Sequence, residues 1–214
     1  MRVVKKPEVR KTEILDAAEA LFYTKGYMHT TIIDILESVN IAKGTFYYYF
    51  PSKEDVMDAI VMRYIEREVE RATAIAENET MTALEKFSAL ILWRDEGNTE
   101  KEKAVEMMQQ VPNAQLQQKK MIETINQLSP IMENVAAQGI AEGAFRTEYP
   151  REAIEFLLIT SLTMFDEGWF DWGPEQLLRK VEAYCLMAEL LLGTKEGSFG
   201  FVSEVISKSI MAGK

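Results

Sequence analysis

The sequence predicts an all-α protein, with a small three-helix head followed by a larger helical body. Three observations predict it. Apolar residues recur every three to four positions over nearly all of the 214-residue chain, and no stretch alternates with the two-residue period of a strand. The breaks between these runs carry helix punctuation: Gly26, Gly97-Asn98, Pro112-Asn113, Gly143, Tyr149-Pro150, Gly173-Pro174 and Gly193. The charge is uneven as well. Residues 1–53 hold 8 Lys/Arg against 6 Asp/Glu, and the remainder holds 16 against 28. A locally basic segment that can meet a polyanion therefore precedes a strongly acidic one that cannot.

Each element has its own justification. Ile14, Leu15, Ala18, Leu21 and Phe22 share one face of a first helix, which Gly26 stops. Thr31 with Asp34 is a capping box that opens a short second helix carrying Ile35 and Leu36. Val39-Asn40-Ile41 is a tight turn, and asparagine tolerates the left-handed backbone of a sharp corner. A third short helix runs from about Lys43 to Phe50 and ends before Pro51, with Phe46 and Phe50 pointing inward. Ser52 with Asp55 caps a long fourth helix that carries Val56, Met57, Ile60, Val61 and Tyr64 on one face and runs to near Glu77. Further helices are predicted at about 81–96, 99–110, 113–141, 150–167, 174–192 and 199–211. Pro130 falls inside the 113–141 stretch and either kinks that helix or restarts it with Ser129 as cap. The domains are then 1–53 for the head and 54–214 for the body, with 54–77 as the connecting helix.

Composition removes several classes. A hydrophobic fraction of 47% with 27% charged residues is ordinary for a globular chain and excludes a disordered or collagen-like one. One cysteine, Cys185, forms no internal disulfide and fits a reducing cytosol, so a cytoplasmic location is expected. No apolar run approaches the roughly 18–20 residues of a membrane-spanning helix, and the basic start leads into a charged helix rather than a signal core. The single histidine, His29, sits between the first two helices and reads as a loop residue. Hydrolase triads, two-histidine metal sites and Glu-x-x-His bundles need more than this, so no catalytic residue, metal or cofactor is expected. Cys185 has no basic neighbour to activate it and reads as a small core residue.

Two short helices joined by a tight turn, after a supporting helix, form the helix-turn-helix plan, whose last helix lies in a DNA major groove. The third helix carries the residues for that task. Lys43 can donate to guanine acceptors or phosphate, Gly44 lets the backbone come close, and the Thr45 methyl can meet a thymine methyl. Tyr47 and Tyr48 carry hydroxyls suited to phosphate oxygens. Lys53 adds a cation at the next helix start, and the Thr31 hydroxyl is placed likewise at the start of the second helix. The expected DNA contacts are Lys43, Gly44, Thr45 and Tyr47 toward bases and nearby backbone, and Thr31, Tyr48 and Lys53 toward phosphate.

Residues 11–60 resemble the N-terminal domain of the tetracycline-repressor (TetR) family of bacterial transcriptional regulators. The signature runs Ile14-Leu15-Asp16-Ala17-Ala18, Leu21-Phe22, Gly26-Tyr27, Thr30-Thr31 and Ile35. It closes with Lys43-Gly44-Thr45-Phe46-Tyr47-Tyr48-Tyr49-Phe50 and Ser52-Lys53-Glu54. Three positions depart from the usual pattern: Ala42 stands where a capping serine is frequent, Asn40 where glycine is frequent at the turn, and Tyr49 where histidine is frequent. The resemblance implies a helical homodimer whose variable C-terminal domain binds a small molecule. It also implies that binding moves the fourth helix, so that the two heads no longer match adjacent major grooves. The last two large helices, about 150–167 and 174–192, would form a four-helix dimer bundle. Their composition agrees: Ala153, Ile154, Phe156, Leu157, Leu158, Ile159, Leu162 and Phe165 on the first, and Leu177, Leu178, Val181, Leu186, Met187, Leu190, Leu191 and Leu192 on the second, surround more than one face, and such helices need two partners.

The central region is rich in soft and aromatic side chains, which suits a tolerant pocket for a largely apolar effector. Trp93, Met107, Met108, Met121, Met132, Phe165 and Trp169 are the candidate ligand-binding residues; each also fits a plain core position. The expected function is that of a ligand-responsive repressor that binds a (pseudo)palindromic operator as a homodimer. Two alternatives stay open: a helical adaptor that has lost DNA binding, and a small helical enzyme using paired carboxylates, for which spacing reveals no pair.

Overall fold

The computed structural model describes residues 6–91, 114–166 and 169–211, and every regular element among them is an α-helix. In chain order these are α1 (Pro7–Lys25), α2 (Ile32–Val39), α3 (Lys43–Tyr49), α4 (Lys53–Ala76), α5 (Ala83–Ile91), α6 (Ala114–Ala141), α7 (Pro150–Met164), α8 (Pro174–Leu192) and α9 (Gly200–Met211). The described residues form two compact units. One holds residues 6–67 with 114–120, and the other holds 68–91, 121–166 and 169–211. The division falls within α4 rather than at its start.

The first unit is built on α1–α3. Ile14, Ala18, Phe22, Ile35 and Phe46 are fully buried, and Phe50 nearly so, which puts the expected apolar faces inside. Phe22 meets Tyr27 edge to face at 5.0 Å between ring centroids. Local caps set the helix ends. The Thr31 hydroxyl accepts from the Asp34 amide at 3.2 Å, and an Asp34 carboxylate oxygen accepts from the Thr31 amide at 2.7 Å. Asn40 closes α2 in the left-handed region at φ 53°. Ser52 Oγ accepts from the Asp55 amide at 3.1 Å, as its capping role requires. The first part of α4 buries Val56, Met57, Ile60 and Val61 in this unit. Arg63 on α4 then reaches two acids of α1, pairing with Asp16 at 2.5 Å and with Glu19. This burial and pairing carry the unit past residue 53.

The second unit packs Phe87 of α5 against Phe145 and Phe199, with ring centroids 5.8 and 5.5 Å apart. Around them lie Val135 and Ala136 of α6, Ile154 and Leu157 of α7, and Val181, Ala188 and Leu192 of α8. α6 continues through Pro130 as one element. Proline supplies no amide to the helix ladder, and Ser129 does not restart the helix. Its buried hydroxyl donates to the Ile125 carbonyl one turn back. Two buried charged groups hold helix ends. Lys86 donates to the Ala76 carbonyl at the end of α4 (2.7 Å) and to Gln138 Oε1 on α6 (2.8 Å). Glu189 accepts from the amides of Gly197 and Phe199 at 3.1 and 2.9 Å, which fixes the approach to α9. Gly193 ends α8 at φ 62°, and a side chain there would collide with the Arg146 carbonyl.

Candidate nucleic-acid interface

α3 divides its residues cleanly. Phe46 is fully buried, whereas Lys43, Gly44, Tyr47 and Tyr48 are exposed, Tyr48 by 77%. Thr45 is half-buried. The Lys43 ammonium lies 5.8 Å from the Tyr47 ring centroid, at the outer limit of a cation–π contact. Tyr48 packs edge to face on Tyr49 at 4.9 Å, and its hydroxyl engages nothing among the described residues. A Cβ added at Gly44 would meet no atom within 4 Å. Gly44 is the second residue of α3, and glycine is less favourable in a helix than alanine, by up to about 1 kcal/mol in an interior. Since the fold leaves that space open, packing within the head does not account for the glycine.

The two other expected phosphate contacts are engaged inside the head. The Thr31 hydroxyl donates its proton to Asp34 Oδ2 at 2.7 Å, so it serves the cap of α2 and has no proton left for a phosphate. Lys25 pairs with the same carboxylate at 2.7 Å. The Lys25 ammonium and the two Thr31 donors hold the Asp34 carboxyl well below the usual range, at about 2. Lys53 donates to the carbonyls of Tyr27 and Thr30 at 2.8 and 2.9 Å, and its ammonium stands 4.2 Å from the Tyr27 ring centroid. Two of its three N–H groups are thus used to clamp the α1–α2 turn. Burial, reinforced by Glu54, pushes the Tyr27 hydroxyl up to about 12, so it stays a donor to Glu54 at 3.3 Å. Sequence periodicity gives no sign of this clamp, because its members lie 23 to 27 positions apart.

The candidate effector residues fall in different settings. Met132 is buried in the second unit's core, and Met121 is half-buried. Phe165 meets Tyr184 edge to face at 5.5 Å. Trp169 is 47% exposed, and the neighbouring Trp172 donates its indole N–H to the Met164 carbonyl at the end of α7. Trp93, Met107 and Met108 lie outside the described residues, as does the helix expected at about 99–110. On α7 and α8, Phe156, Ile159, Leu186 and Leu190 are exposed although their helices also bury an apolar face. Cys185 is buried, and burial, with Glu189 and Glu182 nearby, raises its thiol to about 11, where it is inert as a nucleophile. His29 is exposed. Among the described residues no helix is long and apolar enough to cross a membrane.

A helix-turn-helix head that presents a short polar-aromatic helix, followed by an all-helical unit, defines a DNA-binding regulator. Comparison with known proteins agrees. The sequence pattern of the bacterial regulatory proteins of the tetR family matches residues 14–60, and that of a tetracyclin repressor-like C-terminal domain matches residues 97–187. The HTH-type transcriptional repressor KstR2 of Mycobacterium tuberculosis (strain H37Rv) is 27% identical over 199 residues, covering 92% of this chain and 98% of that protein. The crystal structure of a TetR/AcrR-family regulator from Thermobifida fusca matches with a TM-score of 0.57 at 28% identity, over 86% of this chain and 97% of the other. SmeT, the repressor of a Stenotrophomonas maltophilia multidrug efflux pump, shares the fold with a TM-score of 0.58 at 24% identity, over 88% and 92%. The chain belongs to the TetR family of bacterial regulatory proteins. The family and these relatives are transcriptional regulators rather than enzymes.

Proposed function

We propose that the protein binds a (pseudo)palindromic operator as a homodimer in the cytoplasm and leaves it when a small, largely apolar effector binds the helical body. The open space over Gly44 carries this reading: the head keeps a costly glycine at a place where only something outside the head can come close. Lys43, Thr45 and Tyr47 flank that opening and face the bases and nearby backbone. Tyr48 donates to phosphate, and Lys53 keeps one N–H for the same purpose. Thr31 shapes the start of α2. Two copies meet through α7 and α8, where Phe156, Ile159, Leu186 and Leu190 are covered by the same residues of the partner. Met121, Met132, Phe165 and Trp169, together with Trp93, Met107 and Met108, receive the effector.

The linkage is physical. An effector shifts the equilibrium only by its differential affinity for the DNA-competent and DNA-incompetent conformations. Two heads reading half-sites roughly 34–36 Å apart give up several phosphate bonds together when their separation changes. The test is fluorescence anisotropy of the protein on duplex from its own upstream intergenic region, with a scrambled duplex as control, across a salt series. Tight binding selective for the upstream duplex, falling steeply with salt, is expected. Equal weak binding to both duplexes would overturn the reading for that operator.

A further inference from the structure

Three helix starts among the described residues use one device, and α3 does not share it. Thr31 with Asp34 opens α2, Ser52 with Asp55 opens α4, and Thr82 with Glu85 opens α5. In each, the hydroxyl before the helix accepts from an amide one turn in. The acid three positions on takes that hydroxyl's proton, at 2.7, 2.6 and 2.9 Å respectively. The side chains at these two positions therefore touch. In α3 the same two positions hold Ala42 and Thr45, and no side chain caps the helix.

Alanine is a poor residue for that place. Its backbone has the extended conformation of a capping position, φ −73° and ψ 150°, yet its side chain offers no oxygen. An alanine there is less favourable than serine, threonine, aspartate or glycine. Ala42 is also exposed, so core packing does not account for it either. The acid is missing as well: Thr45 stands where the other three starts carry Asp34, Asp55 and Glu85. What remains is a pair of methyl groups, Ala42 Cβ and Thr45 Cγ2, at the leading end of α3. Methyl groups of alanine and threonine are the side-chain partners that suit the thymine methyl in the major groove.

We propose that Ala42 is a specificity-determining residue whose methyl meets the 5-methyl of a thymine directly beside the one met by Thr45, so that each half-site carries two successive thymines. The proposal rests on α3 being the groove-reading helix, whose first residues face base edges. Touching side chains lie about 4 Å apart, and successive bases on one strand follow at about 3.4 Å. Two methyls on touching side chains thus match two methyls on neighbouring bases. The contact is apolar and releases no counterions, so it sets sequence preference without adding to the salt dependence.

The test uses the full chain on duplex from its own upstream intergenic region, with each thymine in turn replaced by deoxyuridine, which lacks only the methyl. The parent, A42G, A42S and T45S are titrated by anisotropy across a salt series. The parent should lose about fourfold in affinity at each of two successive thymines per half-site, the worth of one buried methyl-sized group. A42G should lose that sensitivity at one of the two thymines and T45S at the other, both with the parental salt slope. A42S supplies the missing cap, so it should melt higher than the parent while binding the upstream duplex more weakly. Glycine also caps better than alanine, so lost folding does not explain a change in A42G. A merely structural role for Ala42 would leave the deoxyuridine profile where it was. A parental profile in A42G, or a parent profile without two successive sensitive thymines, would overturn the role of Ala42 while α3 still reads the groove, provided the parent prefers the upstream duplex to a scrambled one. A parent that binds both duplexes equally overturns the reading of α3, and the role of Ala42 with it.

Discussion

Two surfaces of this protein expose large side chains, and they differ in what those side chains carry. On α3, Tyr47 and Tyr48 stand beside Lys43 and end in hydroxyls. On α7 and α8, Phe156, Ile159, Leu186 and Leu190 end in hydrocarbon, and Leu190 is 74% exposed. A tyrosine keeps its hydroxyl in water while free and exchanges that water for a phosphate oxygen on binding. A leucine gains only by leaving water. Exposure alone therefore says little; the atoms at the tip separate a surface suited to a polyanion from one suited to a second copy of the same apolar face.

The comparison can be broken from the apolar side first. Leu186→Glu with Leu190→Glu should yield monomers in sedimentation velocity while the far-ultraviolet dichroism keeps its helical form. Operator affinity should drop roughly 10²–10⁴-fold, the loss expected when a second linked head no longer contributes. A dimer that survives both charges would place the interface elsewhere.

On the polar side, Lys43→Ala should cost about 1–3 kcal/mol at its preferred base and change the ranking of operator variants, since it removes a donor to base edges. Tyr48→Phe should cost about 1 kcal/mol per hydrogen bond and weaken all duplexes alike, because a phosphate bond carries no sequence information. Competition titrations with single-base operator variants separate the two. Identical ranking shifts in both mutants would mean that Tyr48 also reads bases.

Gly44→Ala sharpens the comparison through opposite signs. The open space around Gly44 predicts stabilisation of about 0.5–1 kcal/mol in thermal or urea melts, together with weaker operator binding. Unchanged binding would show that no DNA backbone approaches that position.

The smallest effect is alkaline. The buried Cys185 thiol is raised from 9.0 to about 11, and Tyr27 from 10.0 to about 12. Below pH 9 both groups hold their protons in the folded and unfolded states, so their contribution does not vary with pH. Above it the unfolded thiol releases its proton first, and stability falls as pH rises toward 11. Tyr27 adds the same loss from pH 10, as does the buried Tyr184, also at about 12. Urea midpoints at pH 8, 9 and 10 should therefore decline less in Cys185→Ala than in the parent. Tyr27→Phe loses the hydrogen bond to Glu54 at every pH, about 1 kcal/mol, and its pH dependence should depart from the parent's only above pH 10.

Much of this protein is legible without coordinates because its defining signals are short-range. The cap formed by Thr31 and Asp34, the left-handed Asn40, the stop at Gly26 and the inward pair Phe46 and Phe50 each depend on neighbours within a turn or two of helix. The same locality makes the family signature readable over residues 14–60. It fails where two roles compete for one group or where partners come from afar. The sequence suggests phosphate for Thr31, yet its proton goes to Asp34, because one hydroxyl proton serves either the cap or the ligand. The sequence suggests phosphate for Lys53 as well, yet it clamps carbonyls of a turn more than twenty residues earlier.

The sequence by itself determined the all-helical class, the ends of the head helices and the buried face of each of them. All of these follow from periodicity and capping within a few positions. Tertiary structure decided that Lys25 and Lys53 are engaged inside the head, where Lys86 and Glu189 anchor helix ends, that α6 runs unbroken through Pro130, and which apolar residues of α7 and α8 stay uncovered. Those outcomes rest on long-range pairing and burial, and the energy of a charge or a hydrocarbon tip is set by what the fold brings beside it.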